Sequence, residues 1–453
     1  MTPFYQSLSF ELTGAQKNSI ENIIYDMTRS KKLSPIPNPI EYTEPMRRLV
    51  QGDVGSGKTI VAAAAVYVCV KNGLQASLMV PTEILAEQHY NSLLPLMEEH
   101  RIATALLTGS TKASEKKKIL AALAQGKIDF IIGTHALIED SVVFKNPGLA
   151  ITDEQHRFGV KQREKLSGKT ALSDDGKEVI PHMLVMSATP IPRTLALILY
   201  GDLDISIIDE LPPGRQKVDT FAVGESMRER IYKFIEKLVS EGRQCYIVCP
   251  LAENFDGIMT DEEYESGLKS AAEYCEKLKT NVFPGLKIAF VHGKMKPSEK
   301  DKIMKAFSSG ETDILVSTTV IEVGVNVPNA ALMVIENAER FGLSQLHQLR
   351  GRVGRGKHKS YCVLMSPVIK GQLASGDAPS EKRFKIMCEN ESGFKISEYD
   401  LELRGPGDFF GRRQHGELNF KIADLAADMM LVEETKKLAD EITKNKKRKE
   451  ELK

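Results

Sequence analysis

Short apolar runs rich in valine, isoleucine and leucine alternate with helical stretches along most of this chain. The alternation predicts βαβ units around a parallel sheet, whose buried strands are apolar on both faces. It predicts strands in two successive series. The first comprises Arg48–Gln51, Ala76–Val80, Phe130–Gly133, Leu149–Thr152 and Met183–Met186. The second comprises Cys245–Val248, Ile288–Val291, Ile314–Val316, Leu332–Ile335 and Tyr361–Leu364. We therefore predict an α/β fold with two parallel-sheet lobes.

Two segments interrupt this periodicity. The stretch DELPPGRQK, residues 209–217, contains two prolines and a glycine, which predicts a linker between the lobes. The stretch LSDDGKEVIPH, residues 172–182, carries Asp-Gly between polar ends and predicts a hairpin. After Met365 the pattern changes to helices around a glycine-rich loop. The predicted domains are residues 1–210, residues 211–366 and a C-terminal region of residues 367–453.

The composition is that of a globular protein and indicates neither a membrane span nor a zinc site. Hydrophobic residues make up 42% of the 453 positions, which is enough to bury several cores. The longest apolar run, Ile60–Val70, is too short to span a membrane. The first residues show no basic segment followed by an apolar one, and the six scattered cysteines lack the spacing of a zinc site. We therefore expect a cytoplasmic protein without membrane contact.

The overall charge neither favours nor excludes a nucleic-acid partner. The 61 lysines and arginines balance 61 aspartates and glutamates, so the chain has no basic excess. Phosphate binding needs only a local basic strip, and a neutral total is therefore weak evidence against it.

The stretch GDVGSGKT, Gly52–Thr59, lies between a predicted strand and a predicted helix. It matches the phosphate-binding pattern G-x-x-x-x-G-K-[ST], in which glycines let backbone N–H groups surround the phosphates. Lys58 would reach the β- and γ-phosphates, and the Thr59 hydroxyl would ligate Mg²⁺. A chance glycine-rich turn is disfavoured by the flanking strand and helix. The predicted ATP-binding residues in this loop are Gly52, Gly55, Gly57, Lys58 and Thr59.

Two acidic residues follow a second predicted strand in the stretch LAITDEQH. Acids at the carboxyl end of a strand, in a chain with a phosphate-binding loop, suit metal positioning and water activation. Asp153 would hold Mg²⁺, and Glu154 would orient and deprotonate the attacking water. An acidic pair alone is more often a solvated turn, so this interpretation depends on the phosphate loop.

The second lobe carries the stretch HQLRGRVGRG, His347–Gly356, with three arginines among glycines. Arginines held on a different lobe from the phosphate loop can stabilise charge on the transferred phosphoryl group when the lobes close. Arg352 and Arg355 are the catalytic candidates, and the sequence does not rank them. The alternative, a basic surface turn, does not explain why the chain needs a second lobe.

Further stretches follow in the order found in superfamily 2 helicases. They are LTGAQKNSI, VPTEILAEQH, IIGTHAL, MSATPIPRT, VHGKM, STTVIEVGVNVPNA and QLHQLRGRVGRG. Within that superfamily, TDEQHRFGVKQR, DELPPGR and LRGPGDFFGRRQHG resemble the RecG family of ATP-dependent branched-DNA helicases and translocases. The resemblance implies two tandem RecA-like lobes with a C-terminal helical hairpin and loop. It also implies a motor that remodels replication forks and Holliday junctions in recombination and repair.

The resemblance implies roles for the residues that match these motifs. Gln16 would contact the adenine of ATP. Contacts to the DNA backbone would come from Pro81, Thr82, Gly109, Thr134, His135, His292, Gly293, Thr318 and Thr319. Coupling of hydrolysis to DNA movement would come from Ser187, Thr189, Arg404, Arg413 and Gln414. Asn326 replaces the aspartate usual at its position, and an amide can still donate and accept hydrogen bonds there.

Members of the RecG family carry an N-terminal wedge domain that separates the arms of branched DNA. This chain begins almost at the adenine motif, so we expect it to be the motor of a longer protein. The expected partners are branched or double-stranded DNA and a single-strand-binding protein. We also expect a monomer.

Three other functions agree with parts of the sequence. The transcription-repair coupling factor shares the C-terminal loop, but it usually carries DEEH and RGAG where this chain has DEQH and RGPG. A nucleotide-binding module without motor activity is disfavoured because Lys58, Glu154 and Arg355 are all present. An RNA helicase of the DEAD type is disfavoured because such enzymes have no counterpart of residues 404–414.

Overall fold

The computed structural model describes residues 1–28, 45–153, 171–172, 178–187, 203–212, 215–251, 261–318, 327–370, 379–404, 434–435 and 438. Two parallel sheets lie in this part of the chain, and a helical hairpin follows the second sheet. The predicted fold class is therefore confirmed. The predicted domain boundaries remain a prediction.

The first lobe is built on a seven-stranded sheet in which every described pairing is parallel. Its strands are β1 (Arg47–Gly52), β2 (Gln75–Met79), β3 (Thr104–Leu107), β4 (Phe130–Gly133), β5 (Pro147–Asp153), β8 (His182–Ser187) and β9 (Asp204–Ile208). The predicted hairpin is confirmed as the antiparallel pair β6 (Ala171–Leu172) and β7 (Glu178–Val179). The described helices are α1 (Thr2–Gln6), α2 (Gly14–Thr28), α3 (Lys58–Lys71), α4 (Glu83–Glu99) and α5 (Ala113–Ala124). The strand order is β3-β4-β2-β5-β8-β1-β9.

The second lobe is built on a six-stranded parallel sheet of order β10-β15-β14-β11-β13-β12. Its strands are β10 (Val218–Val223), β11 (Gln244–Val248), β12 (Ile288–Val291), β13 (Ile314–Ser317), β14 (Ala330–Ile335) and β15 (Ser360–Met365). The described helices of this lobe are α6 (Arg228–Ser240), α7 (Asp261–Lys277), α8 (Pro297–Ser308) and α9 (Leu343–Arg350). The hairpin consists of α10 (Pro379–Glu389) and α11 (Gly393–Arg404), and both of its helices pack against α9.

The longest apolar run of the sequence, Ile60–Val70, lies in α3. This helix is apolar on all sides because it packs against the central strands on one face and against α2 and α4 on others. Among the described residues, no helix combines the length and hydropathy needed to cross a bilayer.

All ten predicted strands are present, with ends that differ by no more than two residues. Three strands were missed, namely β3, β9 and β10. Each of them lies at the edge of its sheet and has only one strand partner. Edge strands bury less of their surface, so their apolar pattern is weaker than that of central strands.

The two lobes contain an internal repeat that the sequence analysis missed. Residues 104–134 match residues 288–318 without a gap, and twelve of these 31 positions are identical. The repeat covers the strand–helix–strand units β3-α5-β4 and β12-α8-β13, whose elements begin and end at matching positions. The identical pairs include Gly109 and Gly293, Asp129 and Asp313, and Thr134 and Thr318.

A buried glutamine fixes the same corner in each lobe. The Nε2 of Gln75, at the start of β2, donates to Leu123 O at 3.0 Å and to Ile128 O at 2.7 Å. The Nε2 of Gln244, at the start of β11, donates to Phe307 O at 2.6 Å and to Thr312 O at 2.7 Å. Gln75 Oε1 also accepts from the backbone N–H groups of residues 145 and 146. Each amide therefore ties the end of a repeat helix to the neighbouring central strand.

Replacing either glutamine with leucine should leave buried backbone carbonyls without a donor. We expect Gln244→Leu to lower the free energy of unfolding by about 2–4 kcal/mol, and Gln75→Leu to cost more because it also removes an acceptor. Chemical denaturation followed by circular dichroism would measure both. Gln125→Ala, at an exposed glutamine of the first repeat, should change stability by less than about 0.5 kcal/mol. Equal small effects for all three variants would contradict this assignment.

Candidate nucleotide site and DNA-facing turns

The predicted phosphate loop connects β1 to α3, which begins at Lys58. Gly55 and Gly57 have φ values of 77° and 84°, in the left-handed region that side chains other than glycine's disfavour. The Nζ of Lys58 donates to the carbonyls of Gly52 and Asp53, at 2.8 Å each. The loop and the positive end of α3 form the cradle that a chain of phosphates requires.

Strand register brings the predicted catalytic residues to one edge of the first sheet. Gln51 of β1 lies opposite Ser187 of β8, and Asp153 of β5 lies opposite Met186, so these strands end level with the phosphate loop. The Oδ2 of Asp153 lies 3.1 Å from His89 Nε2 on α4, a partner that the sequence analysis missed. The predicted residues Glu154 and Thr189 lie outside the described residues.

Gln16 contacts the phosphate loop rather than projecting into solvent. Its side chain is buried, and its Nε2 donates to Ser56 O at 2.8 Å. Its Oε1 accepts from the backbone N–H of Thr13 at 3.0 Å. The amide therefore braces the loop from α2. Contact between Gln16 and adenine remains a prediction.

The three arginines of the second lobe differ in their surroundings. Arg350 holds the hairpin, because its Nη1 donates to Met387 O at 2.7 Å and to Asn390 O at 2.8 Å. Arg355 lies next to the phosphate loop, because its Nε donates to Gly351 O at 3.1 Å and Gly351 packs against Val54. Arg352 is buried. The structure thus gives Arg350 a supporting position and leaves Arg352 and Arg355 as candidates for the finger.

Arg215 is a further basic residue at the phosphate loop that the sequence analysis missed. It lies in the linker between the lobes, and its Nη1 donates to the carbonyl of Val54. Burial lowers the pKa of Arg215, and the carboxylate of Asp53 only partly opposes this effect. Burial, together with the guanidinium groups of Arg352 and Arg215, lowers the pKa of Arg355 to about 9. Guanidinium groups that disfavour one another's charge form a site that an anion would stabilise.

The predicted DNA-contacting residues lie in turns after the strands of both lobes. Thr82 caps α4 by accepting from Leu85 N at 3.4 Å, and Pro81 precedes it. The hydroxyls of Thr134 and Thr318 are buried and make no hydrogen bond within the described part of the chain. The remaining described candidates are Gly109, the exposed His135, His292 and Gly293. Thr319 lies outside the described residues.

A cleft of about 990 Å³ runs between the two lobes near these turns. Its walls include Ser110, next to Gly109, and Lys296, which lies close to Gly293. Glu87 of α4 and Lys305 of α8 form an ion pair of 3.1 Å across it. The first repeat contributes Ser110 to this cleft, and the second contributes Lys296 and residues of α8.

Three family profiles match the chain. The DEAD/DEAH box helicase profile matches residues 13–198, and the helicase conserved C-terminal domain matches residues 228–357. The profile for ATP-dependent DNA helicase RecG, domain 3, C-terminal, matches residues 390–452. The first two profiles cover the two lobes, and the third begins in the turn of the helical hairpin.

Full-length relatives give the same result. The ATP-dependent DNA helicase RecG of Bacillus subtilis (strain 168) is 49% identical over 434 residues, which cover 95% of this chain and 58% of that protein. The protein of that name from Thermotoga maritima is 48% identical, with 97% of this chain and 52% of that protein covered. This chain belongs to the RecG family. It spans about half the length of the curated relatives it matches.

A solved structure of a RecG bound to a three-way DNA junction has the same architecture. It superimposes with a TM-score of 0.74 at 46% sequence identity, and the match covers 95% of this chain and 52% of that one. In this chain, the helix α11 ends at Arg404, the first of the predicted coupling residues in the C-terminal region. Arg413 and Gln414 lie outside the described residues, so their roles stay predictions.

The finger assignment can be tested kinetically. Arg355→Ala should lower kcat for ATP hydrolysis by up to about 10³-fold, because an arginine finger acts on charge that develops in the transition state. The KM for ATP should change little, because the finger stabilises the transition state and contributes little to the binding of ATP in the ground state. Steady-state hydrolysis at saturating DNA measures both constants. Arg230→Ala, at an exposed arginine of the same lobe, is the matched control. An unchanged kcat in Arg355→Ala would exclude Arg355 as the arginine finger and leave Arg352 as the candidate.

Proposed function

We propose that this chain is the ATP-driven motor of a branched-DNA helicase, and that the longer protein remodels replication forks and Holliday junctions in recombination and repair. The observation that carries the proposal is the arrangement of the two lobes. The phosphate loop of the first lobe lies beside the arginine-bearing segment of the second, and both lobes contribute residues of the internal repeat to one cleft. ATP hydrolysis at the phosphate loop can thus move the turns beside the cleft.

The nucleotide site uses residues of both lobes. The N–H groups of the phosphate loop and the Lys58 ammonium would bind the β- and γ-phosphates. Glu154 would take the proton from the attacking water, and Arg355 or Arg352 would stabilise the charge that develops on the phosphoryl group.

The donor set also fits a magnesium ion. Thr59 lies in the first turn of α3, and the buried Asp153 carboxylate lies at the same edge of the sheet. Mg²⁺ bound with a nucleotide usually takes only one or two protein oxygens, because phosphates and waters complete its octahedron. Thr59 and Asp153 would supply those oxygens. The ion would neutralise phosphate charge during hydrolysis.

The DNA-facing turns suit a motor that follows any sequence. Gly109 and Gly293 lie in these turns, and the buried hydroxyls of Thr134 and Thr318, which lack a partner among the described residues, would reach a phosphate when the turns move apart. Such groups bind phosphates, which position a protein on DNA without reading bases. Two equivalent sets on separate lobes can hold and release the backbone in turn when ATP closes and opens the cleft. Ser187 ends β8, opposite Gln51 of β1 and therefore beside the phosphate loop, and it would couple the nucleotide site to this cleft.

The transcription-repair coupling factor is not favoured as an alternative, because the C-terminal profile and the curated relatives are those of RecG. A cytoplasmic location, a monomeric state and a single-strand-binding protein as partner remain parts of the proposal. All six cysteines are free, which is consistent with a reducing compartment.

The proposal is tested by ATP hydrolysis in the presence of a fork, a linear duplex, single-stranded DNA and RNA. Duplex and forked DNA should stimulate hydrolysis, whereas RNA should not. Stimulation should fall steeply with salt, and this chain should distinguish fork from duplex only weakly, because backbone contacts carry little discrimination. Hydrolysis that no nucleic acid stimulates, or that RNA stimulates best, would contradict the proposal.

Removing the two threonine hydroxyls tests the cleft directly. Thr134→Val and Thr318→Val should each raise the DNA concentration for half-maximal stimulation roughly tenfold, equivalent to about 1.4 kcal/mol, with an unchanged KM for ATP. Valine keeps the shape of threonine, so folding should be preserved. Thr220→Val, at a hydroxyl on the opposite edge strand β10, is the control. If both variants need the same DNA concentration for half-maximal stimulation as the wild type, the DNA does not bind at these threonines.

A further inference from the structure

Asp53 lies inside the phosphate loop, yet the phosphate-binding pattern places no demand on its side chain. The pattern G-x-x-x-x-G-K-[ST] leaves this position open, and the loop binds phosphates through backbone groups and Lys58. The Asp53 side chain is only 13% exposed. Burying a carboxylate is costly unless other groups compensate for its charge. Because phosphate binding does not require Asp53, its burial here points to another role.

The Asp53 carboxylate joins three parts of the molecule. Its Oδ1 accepts from Val54 N at 2.9 Å, within the loop, and from His347 Nε2 on α9. Its Oδ2 accepts from Gly393 N at 2.9 Å. Gly393 is the first residue of α11, where backbone N–H groups lack partners within the helix. A carboxylate at this end of the helix is favourable through both the hydrogen bond and the helix dipole.

His347 links Asp53 to the turn of the hairpin. Arg350 Nη2 lies 2.9 Å from His347 Nδ1, and a guanidinium can only donate, so Nδ1 accepts. The proton of the imidazole is therefore on Nε2, which donates to Asp53. Arg350 also donates to Met387 O, Asn390 O and Glu391 O, which surround the turn between α10 and α11. The phosphate loop is thus joined to the hairpin twice, directly through Gly393 and indirectly through His347 and Arg350.

The contacts of Asp53 persist over the physiological pH range. Burial alone would raise the pKa of Asp53, but the hydrogen bonds from His347 and Gly393, with the nearby Arg215, lower it to about 2. The carboxylate is therefore ionised and can accept from both partners. On the other side, α11 is a continuous helix of 12 residues, roughly 18 Å long, that ends at Arg404. A shift of the phosphate loop can therefore reach the far end of this helix as a rigid displacement.

We propose that Asp53 is a positioning residue that transmits movement of the phosphate loop during the ATP cycle to α11, through its hydrogen bonds with Gly393 and His347. The proposal rests on the proposed function, an ATP-driven DNA motor. It goes beyond that function because it names the group that carries the motion from the nucleotide to the hairpin, and it assigns that role to a residue outside the phosphate-binding set.

Gly393→Pro removes the hydrogen bond without changing the nucleotide site. Proline lacks the N–H that Asp53 accepts, and it is well tolerated at the first position of a helix. We expect this variant to keep DNA-stimulated ATP hydrolysis and to lose displacement of a third strand from a DNA triplex. Asp129→Asn is the matched control, because Asp129 Oδ2 accepts the backbone N–H of Ala103 at 2.8 Å, far from the hairpin. The control should retain both activities.

Hydrogen–deuterium exchange of the α11 amides supplies a readout that a purely structural role would not move. In the wild type, a non-hydrolysable ATP analogue should change exchange in α11. In Gly393→Pro and Asp53→Asn, exchange should be the same with and without the analogue. The asparagine amide has one acceptor oxygen and cannot accept from both partners in the same way, so at least one contact is lost.

The outcomes separate this proposal from the proposed function. A wild-type chain that DNA does not stimulate would refute the motor itself. A wild-type motor whose Gly393→Pro variant still displaces strands, with nucleotide-dependent exchange in α11, would refute only the role of Asp53. Parallel loss of hydrolysis and strand displacement in Gly393→Pro would also overturn it, because the contact would then support the nucleotide site instead of transmitting its motion.

Discussion

The contact between the phosphate loop and the second lobe depends on one buried carboxylate. Asp53 accepts hydrogen bonds from its own loop, from α9 and from the start of α11, and Arg215 of the linker binds the neighbouring carbonyl of Val54. An ionised group cannot be buried without such partners, so these elements must meet at the loop. This requirement holds the arginine-bearing segment of the second lobe close to the phosphate loop. It also attaches the hairpin to the same place.

Sequence patterns predicted the parts of this molecule that must satisfy a general chemical or packing requirement. The phosphate loop could be predicted because its glycines and Lys58 satisfy a fixed spacing, and the central strands because burial on both faces makes them apolar. The missed strands β3, β9 and β10 all lie at sheet edges, where one side has no strand partner, although the edge strand β12 was predicted. The sequence also contained the repeat of residues 104–134 in 288–318, which a comparison of the two halves would have found.

Other contacts could not be predicted, because they join residues that are distant in sequence and unconstrained by any motif. Asp53 occupies an open position of its pattern, and Gly393 lies 340 residues further along the chain. Arg215 belongs to a proline-rich linker whose composition predicts only a break between lobes. His89 reaches Asp153 from the second turn of α4. Only folding brings these pairs together.

Glu154, Thr189, Thr319, Arg413 and Gln414 lie outside the described residues, and their roles rest on the resemblance to the family.

The repeat gives the motor a simple physical design. Two equivalent strand–helix–strand units lie on either side of one cleft, and in the proposed function the nucleotide would bind at the phosphate loop, where the lobes approach each other. In the proposed motor, closing the lobes would change the separation of two similar sets of DNA-backbone contacts and so move the protein along the strand. The hairpin would follow this movement, because Asp53 joins it to the phosphate loop and Arg350 joins it to α9.

The most direct test is the distance between the two repeats during the ATP cycle. Lys118 and Lys302 occupy matching, exposed positions of α5 and α8, so fluorophores attached to Lys118→Cys and Lys302→Cys, with Cys388→Ser, report that distance. On duplex DNA, the account predicts a shorter distance with a non-hydrolysable ATP analogue than with ADP, and repeated alternation between the two during hydrolysis. A distance that stays the same in all nucleotide states would contradict it.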